Sequence, residues 1–198
     1  MLRIIISAAV LFSVFPLTTC ERTDMHKLAR YGEPPRMGLY VFAISSRTGA
    51  LGGRSGADQL CRDEGVAVYR ALDLKNVKAF ISVSTVDDIR SLVTPDWWYY
   101  PVYGINPVNG PVLVAESWAG LWSGALVNDL QTSLGMTTNW WSGSNPDGTL
   151  SAGGNCSEWR VADSTLAQEG SPVGTAPSWI TATMQACSAS NTVLCLAY

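Results

Sequence analysis

Leu39-Tyr-Val-Phe-Ala-Ile44 is an apolar run of aromatic and β-branched residues, and this composition predicts a buried strand. Glycines surround the turn that follows it. The next segment, Ser55-Gly-Ala-Asp-Gln-Leu-Cys-Arg-Asp-Glu64, predicts a short helix that has Ser55 as its N-cap and ends at Gly65. Val77-Lys-Ala-Phe-Ile-Ser-Val83 predicts a second core strand. The folded part of the chain therefore begins with a strand, a helix and another strand.

A second helix is predicted directly after that strand. Ser84 and Thr85 each precede an aspartate by three residues, which is the spacing of a capping box. Apolar residues then recur at helical intervals and would face the core. The two aspartates are Asp87 and Asp88, and the apolar positions are Ile89, Leu92 and Val93.

The half of the chain after Pro95 has a different texture. All eight tryptophans lie between Trp97 and Trp179, among many Gly, Pro, Asn and Ser residues. Large rings and crosslinks hold such regions together where regular structure is scarce. The sequence thus predicts an α+β domain with two short helices, a mixed β-sheet and a long loop-rich C-terminal half. Short strands are predicted in that half at Pro111–Val114, Glu158–Val161 and Thr192–Tyr198.

The composition fits one folded domain and does not favour nucleic-acid binding. The chain has 198 residues, of which 47% are hydrophobic and 15% charged, and its formal net charge is −3. After Arg90 the only basic residue is Arg160, against seven acidic ones. Because no run of Lys and Arg forms a basic footprint, we expect no nucleic-acid partner.

The N-terminal residues predict export. An apolar run of roughly 14 residues from Ile4 to Leu17 is too short for a permanent membrane span but suits a signal peptide. Leu17-Thr-Thr-Cys20 resembles a bacterial lipobox, although Thr19 stands where Gly, Ala or Ser is usual. The alternative is an ordinary secretory signal that leaves Cys20 as a free thiol. We expect residues 1–19 to be a lipoprotein signal peptide, Cys20 to carry the lipid, residues 20–37 to form a polar tether closed by Pro34-Pro35, and residues 38–198 to fold.

The cysteine count agrees with lipidation at Cys20. Of five cysteines, this assignment leaves an even four, and an exported protein seldom keeps an exposed free thiol. Four cysteines can pair in three ways, and the residues alone leave the choice open. The four are Cys61, Cys156, Cys187 and Cys195.

Several sequence blocks follow one another in a distinctive order along the chain. They are Arg54–Cys61, Val77–Ser82, Asp88–Val93, Glu116–Gly124, Trp141–Gly148, Cys156–Arg160 and Val193–Leu196. Their order resembles endostatin, the C-terminal domain of collagens XV and XVIII, which has a C-type lectin-like fold. The resemblance covers residues 38–198 and implies that fold here. Together with the lipobox, it makes the chain similar in character to leptospiral endostatin-like surface lipoproteins, which are associated with binding host extracellular matrix and complement regulators.

The resemblance also implies how the cysteines pair. It implies bonds of Cys61 with Cys195 and of Cys156 with Cys187, one nested inside the other. In the chain-entropy description, the longer closure contributes about 5 kcal/mol and the shorter about 3.5 kcal/mol.

Catalytic and metal chemistry are not expected, and neither is a cofactor. His26 is the only histidine and lies in the tether, and the sequence has no Gly-x-Ser-x-Gly elbow. Endostatin binds zinc through histidines and an aspartate, but this chain has no such histidines and has Asn109 in place of the acid. Asn145-Pro-Asp-Gly148 is superficially similar to a calcium motif of lectins, yet its composition favours a tight turn.

Candidate ligand-binding residues are therefore mainly aromatic. Exposed Trp and Tyr are favoured anchors of protein interfaces. Adjacent residues on an extended backbone point to opposite sides, so one ring of each Trp pair can face outward. Two arginines match arginines of the resembling blocks, although ion pairs with Asp58 or Glu158 are the alternative role. The candidates are Trp97, Trp98, Tyr99, Tyr100, Trp140, Trp141, Arg54 and Arg160.

The sequence leads to a binding role at a cell surface. We expect an exported protein, lipid-anchored at the bacterial outer membrane or cell surface, that binds a host extracellular-matrix or serum regulatory protein. Two alternatives stay open: a glycan-binding module that works without calcium, and a structural envelope lipoprotein.

Overall fold

The computed structural model describes residues 37–123 and 126–198. The expectations on the signal peptide, on lipidation of Cys20, on His26 and on residues 20–36 of the tether fall outside the described residues.

A mixed β-sheet dominates the described domain. In sheet order its strands run β4-β3-β1-β8-β5-β6-β7, and β2 pairs with β8 as well. The β1–β3 and β5–β8 pairs are parallel, whereas the other pairs are antiparallel. The strands are β1 (Leu39–Arg47), β2 (Val77–Ala79), β3 (Val102–Asn106), β4 (Gly110–Ala115), β5 (Trp140–Trp141), β6 (Leu166–Gly170), β7 (Thr183–Ala186) and β8 (Asn191–Ala197).

Helical structure is sparse and short. Only α1, Gly53–Glu64, is longer than two turns among the described segments. It packs on β2 and continues after Gly65 into a second short helix. The protein is therefore an α+β domain with few helices and a mixed sheet. The other helical segments are α2 (Val66–Ala71), α3 (Trp118–Leu121), α4 (Leu130–Leu134) and the single turn α5 (Cys156–Trp159), with 3-10 turns at Ile89–Ser91, Pro95–Trp97 and Pro177–Trp179.

Strand β8 lies between two hydrophobic cores. All seven of its residues are buried, and they alternate between the two sides of the sheet as strand geometry requires. Leu194 and Leu196 belong to the first core, together with Phe80 and Trp140. The second core takes the intervening residues of β8 and contains α1. Its members on β8 are Val193, Cys195 and Ala197.

Two disulfides crosslink the second core. Cys61 on α1 is bonded to Cys195 on β8, and Cys156 is bonded to Cys187. These are the pairs that the resemblance implies. Because disulfides persist in oxidising compartments, the two bonds indicate an extracellular or comparably oxidising location. Within the described ranges, no helix has the length and apolar character of a membrane span.

The first helix begins earlier than predicted. Its N-cap is Gly52, whose φ of 81° is left-handed, and Ser55 lies inside the first turn without a capping bond. The predicted end at Gly65 is found.

The second predicted helix is wrong in kind. Only a 3-10 turn forms, at Ile89–Ser91, and its N-cap is Asp88. The Asp88 carboxylate accepts the Ser91 N–H at 2.9 Å, while the Asp87 carboxylate accepts from the Arg54 guanidinium at 2.9 Å. The capping chemistry predicted for this stretch thus serves one turn, and Pro95 starts another turn soon after it.

The strand predicted at Glu158–Val161 is also wrong. Cys156 to Trp159 form a left-handed turn with φ values between 48° and 63°. Left-handed conformation costs about 1–2 kcal/mol per residue, so surrounding contacts must hold it. The Trp159 indole N–H donates to the Ser82 carbonyl at 2.7 Å, and the Asn155 amide donates to Val83 at 2.7 Å.

We expect the Cys61–Cys195 bond to contribute more stability than the Cys156–Cys187 bond. The bonds span 134 and 31 residues, for which loop closure gives about 5 and about 3.5 kcal/mol. Urea unfolding of the two paired Cys→Ala variants checks the order. A larger loss in the Cys156→Ala/Cys187→Ala variant would contradict it.

Candidate binding surface

Five aromatic side chains gather where β3 begins. We call the rings of Trp97, Trp98, Tyr99, Tyr100 and the C-terminal Tyr198 the aromatic surface. Tyr99 is the most open of them, with 85% of its surface exposed, and the other four are half-buried. Trp97 contacts the rings of Tyr100 and Tyr198, and Trp98 and Tyr99 are its neighbours in the chain.

A tight turn, rather than a strand, presents the first four rings. The Trp97 N–H donates to the Thr94 carbonyl at 3.0 Å, and the Tyr100 N–H donates to the Trp97 carbonyl at 3.1 Å. Successive side chains therefore spread around the turn. The expected alternation of an extended backbone does not apply to this segment.

Hydrogen bonds to α3 fix the turn on the domain. The Trp118 N–H donates to the Tyr100 carbonyl at 2.9 Å, and the Ala119 N–H donates to the Trp98 carbonyl at 3.0 Å. Because Trp118 is itself fully buried, the aromatic surface has a rigid base.

Ring contacts order the interior of the aromatic surface. The Trp97 ring centroid lies 5.0 Å from that of Tyr100 and 5.0 Å from that of Tyr198. The Tyr198 hydroxyl donates to the Leu92 carbonyl at 3.3 Å. Burial raises the pKa of Tyr198 above its ordinary value.

Arg90 links the aromatic surface to the turn at Asn145–Gly148. Its guanidinium carbon lies 5.6 Å from the centroid of the Trp98 ring, at the distance of a cation–π contact. The Arg90 backbone N–H donates to the Gly148 carbonyl at 3.2 Å. The Thr149 hydroxyl and, more weakly, Arg90 hold the pKa of Asp147 below its ordinary value.

The turn at Asn145–Gly148 has the geometry that its composition favours. The Gly148 N–H donates back to the Asn145 carbonyl at 3.0 Å, which closes a β-turn. Within residues 37–123 and 126–198, no group of three or more His, Cys, Asp or Glu side chains is arranged to hold a metal ion.

Trp140 and Trp141 were predicted as candidates with one ring outward, and that prediction is wrong. Their rings do point to opposite sides of β5, but both side chains are fully buried. Each side of the sheet carries its own core, so neither ring reaches solvent. The Trp140 indole N–H donates to Trp179 and that of Trp141 donates to Arg47, both to carbonyl oxygens.

Arg54 joins α1 to β2 and does not belong to the aromatic surface. It donates to the carbonyls of Ala79 and Ile81, each at 2.6 Å, and to the Asp87 carboxylate at 2.9 Å. Asp58, the expected ion-pair partner, lies at 3.5 Å. Because its N–H groups donate within the fold, Arg54 is a structural residue. The prediction that it binds a ligand is corrected.

Arg160 is exposed and lies beside Gly53 at the start of α1. Its distance to the Glu158 carboxylate is 3.7 Å, and both side chains are more than half exposed. Solvent screening makes such a pair weak. Arg160 therefore remains accessible but is not brought to the aromatic turn by any contact in the described structure.

Glu169 is a buried carboxylate whose surroundings explain it. The Asn139 amide donates to it at 2.6 Å and the Asn191 amide at 2.7 Å, and the Thr183 hydroxyl donates as well. These donors belong to different parts of the β5–β8 region. The network joins neighbouring strands, which is a structural role.

A shallow groove of about 500 Å³ lies between the end of β1 and α1. Its polar groups are largely committed to one another: Gln59 donates to Asp63 at 2.7 Å, and Arg47 pairs with Glu64. The groove therefore offers a ligand few free polar groups.

Sequence reasoning found the Trp97–Tyr100 part of the aromatic surface but missed Tyr198 and Arg90. Tyr198 follows an apolar strand and lies 98 residues from Tyr100 in the chain. Only the β8 pairing brings it there. No known protein-family profile matches the chain, and no curated protein matches it.

We expect Arg54→Ala to destabilise the fold by about 3 kcal/mol, because it leaves two carbonyls and a carboxylate without their donor. Arg62→Ala on the same helix is the matched control, since Arg62 is exposed and, among the described residues, its guanidinium donates only to Gln59. Urea unfolding measures both. Equal losses in the two variants would contradict the structural role of Arg54.

We expect Thr149→Val to raise the pKa of Asp147 towards its ordinary value, because the strongest donor to the carboxylate is lost. Because its folded-state pKa is lowered, the Asp147 carboxylate stabilises the fold at pH values above its unfolded-state pKa. This stabilisation is lost as pH falls through the folded-state pKa. Carbon-13 NMR titration of the Asp147 carboxyl measures the change. The Asp163 carboxyl, held by Thr165, should titrate as before.

Proposed function

We propose that this chain is an exported surface protein that binds a protein partner through the aromatic surface. The expected partner class is host extracellular-matrix or serum regulatory protein. The observation that carries the proposal is the exposed Tyr99 ring, which shares a turn with the half-exposed Trp97 and Trp98, and Arg90 stacks on Trp98. Trp, Tyr and Arg are the residue types that dominate the binding energy of protein interfaces.

Rigidity supports this reading of the surface. The turn is bonded to α3, and Trp97 packs against two other rings. A surface that is already ordered loses little conformational entropy when it binds. Aromatic side chains held in this way make better anchors than rings on a loose loop.

The proposal includes the endostatin-like, C-type lectin-like fold and a lipid anchor at Cys20 in the bacterial outer membrane or cell surface. The mixed sheet, the few helices and the two nested disulfides support the fold. Disulfide bonding supports export. The lipid is argued from the lipobox-like Leu17–Cys20 alone.

The test is a pull-down from serum and from solubilised extracellular matrix. The full chain is immobilised near its N-terminus, because a C-terminal tag would disturb Tyr198. We expect specific retention of a partner and a roughly tenfold weaker interaction for Tyr99→Ala, an exposed position whose loss leaves the core intact. Bound proteins are identified by mass spectrometry and quantified by surface plasmon resonance.

Val108→Ala is the matched control, since Val108 is 78% exposed and lies in the β3–β4 turn, at the other end of β3. The proposal fails if no protein is retained specifically, or if Tyr99→Ala and Val108→Ala weaken retention equally. Glycan binding in the presence of a chelator, without any protein partner, would replace it.

A further inference from the structure

Two carboxylates flank the aromatic surface. Asp96 lies in the turn between Pro95 and Trp97 and is exposed. Glu116 is also exposed, and it is brought near Tyr100 because the Trp118 N–H donates to the Tyr100 carbonyl. Over residues 37–123 and 126–198, neither carboxylate forms an ion pair.

The basic groups on the same side of the domain are already engaged. Arg90 is stacked on Trp98 and lies near Asp147. The Lys78 ammonium donates to the Leu92 carbonyl at 2.9 Å, the same carbonyl that accepts the Tyr198 hydroxyl. Both cations keep their positive charge, but the three carboxylates of Asp96, Glu116 and Asp147 outnumber them, so the net charge around the rings is negative.

We propose that the segment bound here is extended and cationic, with an Arg or Lys beside a proline or another apolar residue. This inference rests on the proposed function and names the chemistry of the partner. A guanidinium or ammonium placed over the Tyr99 or Trp97 face is attracted by the ring quadrupole. The carboxylates of Asp96 and Glu116 attract the same charge, and the apolar neighbour packs against the remaining ring area.

Charge complementarity of this kind acts on encounter as well as on the bound state. Exposed carboxylates beside a binding platform raise the association rate of a cationic segment and repel an anionic one. Since both carboxylates are solvent-exposed, their contribution decreases as salt rises. Binding should therefore be selective for charge and sensitive to ionic strength.

The experiment uses calorimetry on the full chain with a defined probe. The probe is an acetylated and amidated peptide of sequence Gly-Pro-Pro-Arg-Gly-Pro-Pro-Arg-Gly, and its matched control has Glu in place of both arginines. We expect binding of the arginine peptide, at least tenfold weaker binding of the glutamate peptide, and a weaker interaction as NaCl is raised.

Variants locate the interaction. We expect Tyr99→Ala to weaken binding of the arginine peptide about tenfold. The Asp96→Asn/Glu116→Gln pair should weaken it about threefold to fivefold and reduce the salt dependence. Val108→Ala is the control for the loss of an exposed apolar side chain, and Asp63→Asn is the control for the loss of an exposed carboxylate. Both variants should bind the peptide like the unmodified chain.

Equal affinity for the two peptides, or no effect of the Asp96→Asn/Glu116→Gln pair, would overturn the inference. If the pull-down still retains a partner that depends on Tyr99, the proposed function stands while its cationic chemistry falls.

The chain's own tether is the competing occupant. It contains Arg30, Pro34-Pro35 and Arg36, and it joins the domain beside the aromatic surface, where the Leu39 N–H donates to the Pro101 carbonyl at 2.9 Å. An Arg30→Ala/Arg36→Ala variant of the full chain tests this. If the peptide binds only that variant, the tether is the occupant and the external partner segment is overturned.

Discussion

Burial of β8 is the constraint on which the domain depends. Its seven residues have neighbours on both faces and both edges. β1 pairs along its length from Asn191 to Ala197, β2 pairs with its C-terminal part, and β5 pairs with Thr192. Leu194 and Leu196 supply one core, while Cys195 crosslinks the other to α1. Few helices cover the sheet. The loops are therefore held in place mainly by their attachment to β8. The aromatic surface is one example, because Tyr198 directly follows it.

The sequence predicted the strands whose burial is strongest and failed where tertiary contacts override local preference. The apolar runs at Leu39–Ile44 and Thr192–Tyr198 correspond to β1 and β8. The stretch Glu158–Val161 could not be predicted, because contacts from Ser82 and Val83 and a disulfide hold it in a left-handed turn. Propensity carries no signal for a conformation imposed from more than 70 residues away.

The candidate site was predicted in part for a related reason. A run of four aromatic residues at Trp97–Tyr100 is unusual in any sequence and marked the place directly. Trp140 and Trp141 were equally prominent, but their exposure depends on whether the sheet is covered on one side or both, which periodicity over two residues cannot tell. Arg54 was ambiguous between ligand and ion pair, and the carbonyls of Ala79 and Ile81 decide for structure.

The point where the chain enters the domain also determines its mechanics. A partner held at Tyr99 and an anchor upstream of Met37 would pull on neighbouring positions, because the Leu39 N–H is bonded to the Pro101 carbonyl. Tension would then run through a short path at one corner, across the first residues of β1 and β3. Neither disulfide lies on that path, so under the proposed function a pull between partner and anchor would not load the crosslinked second core.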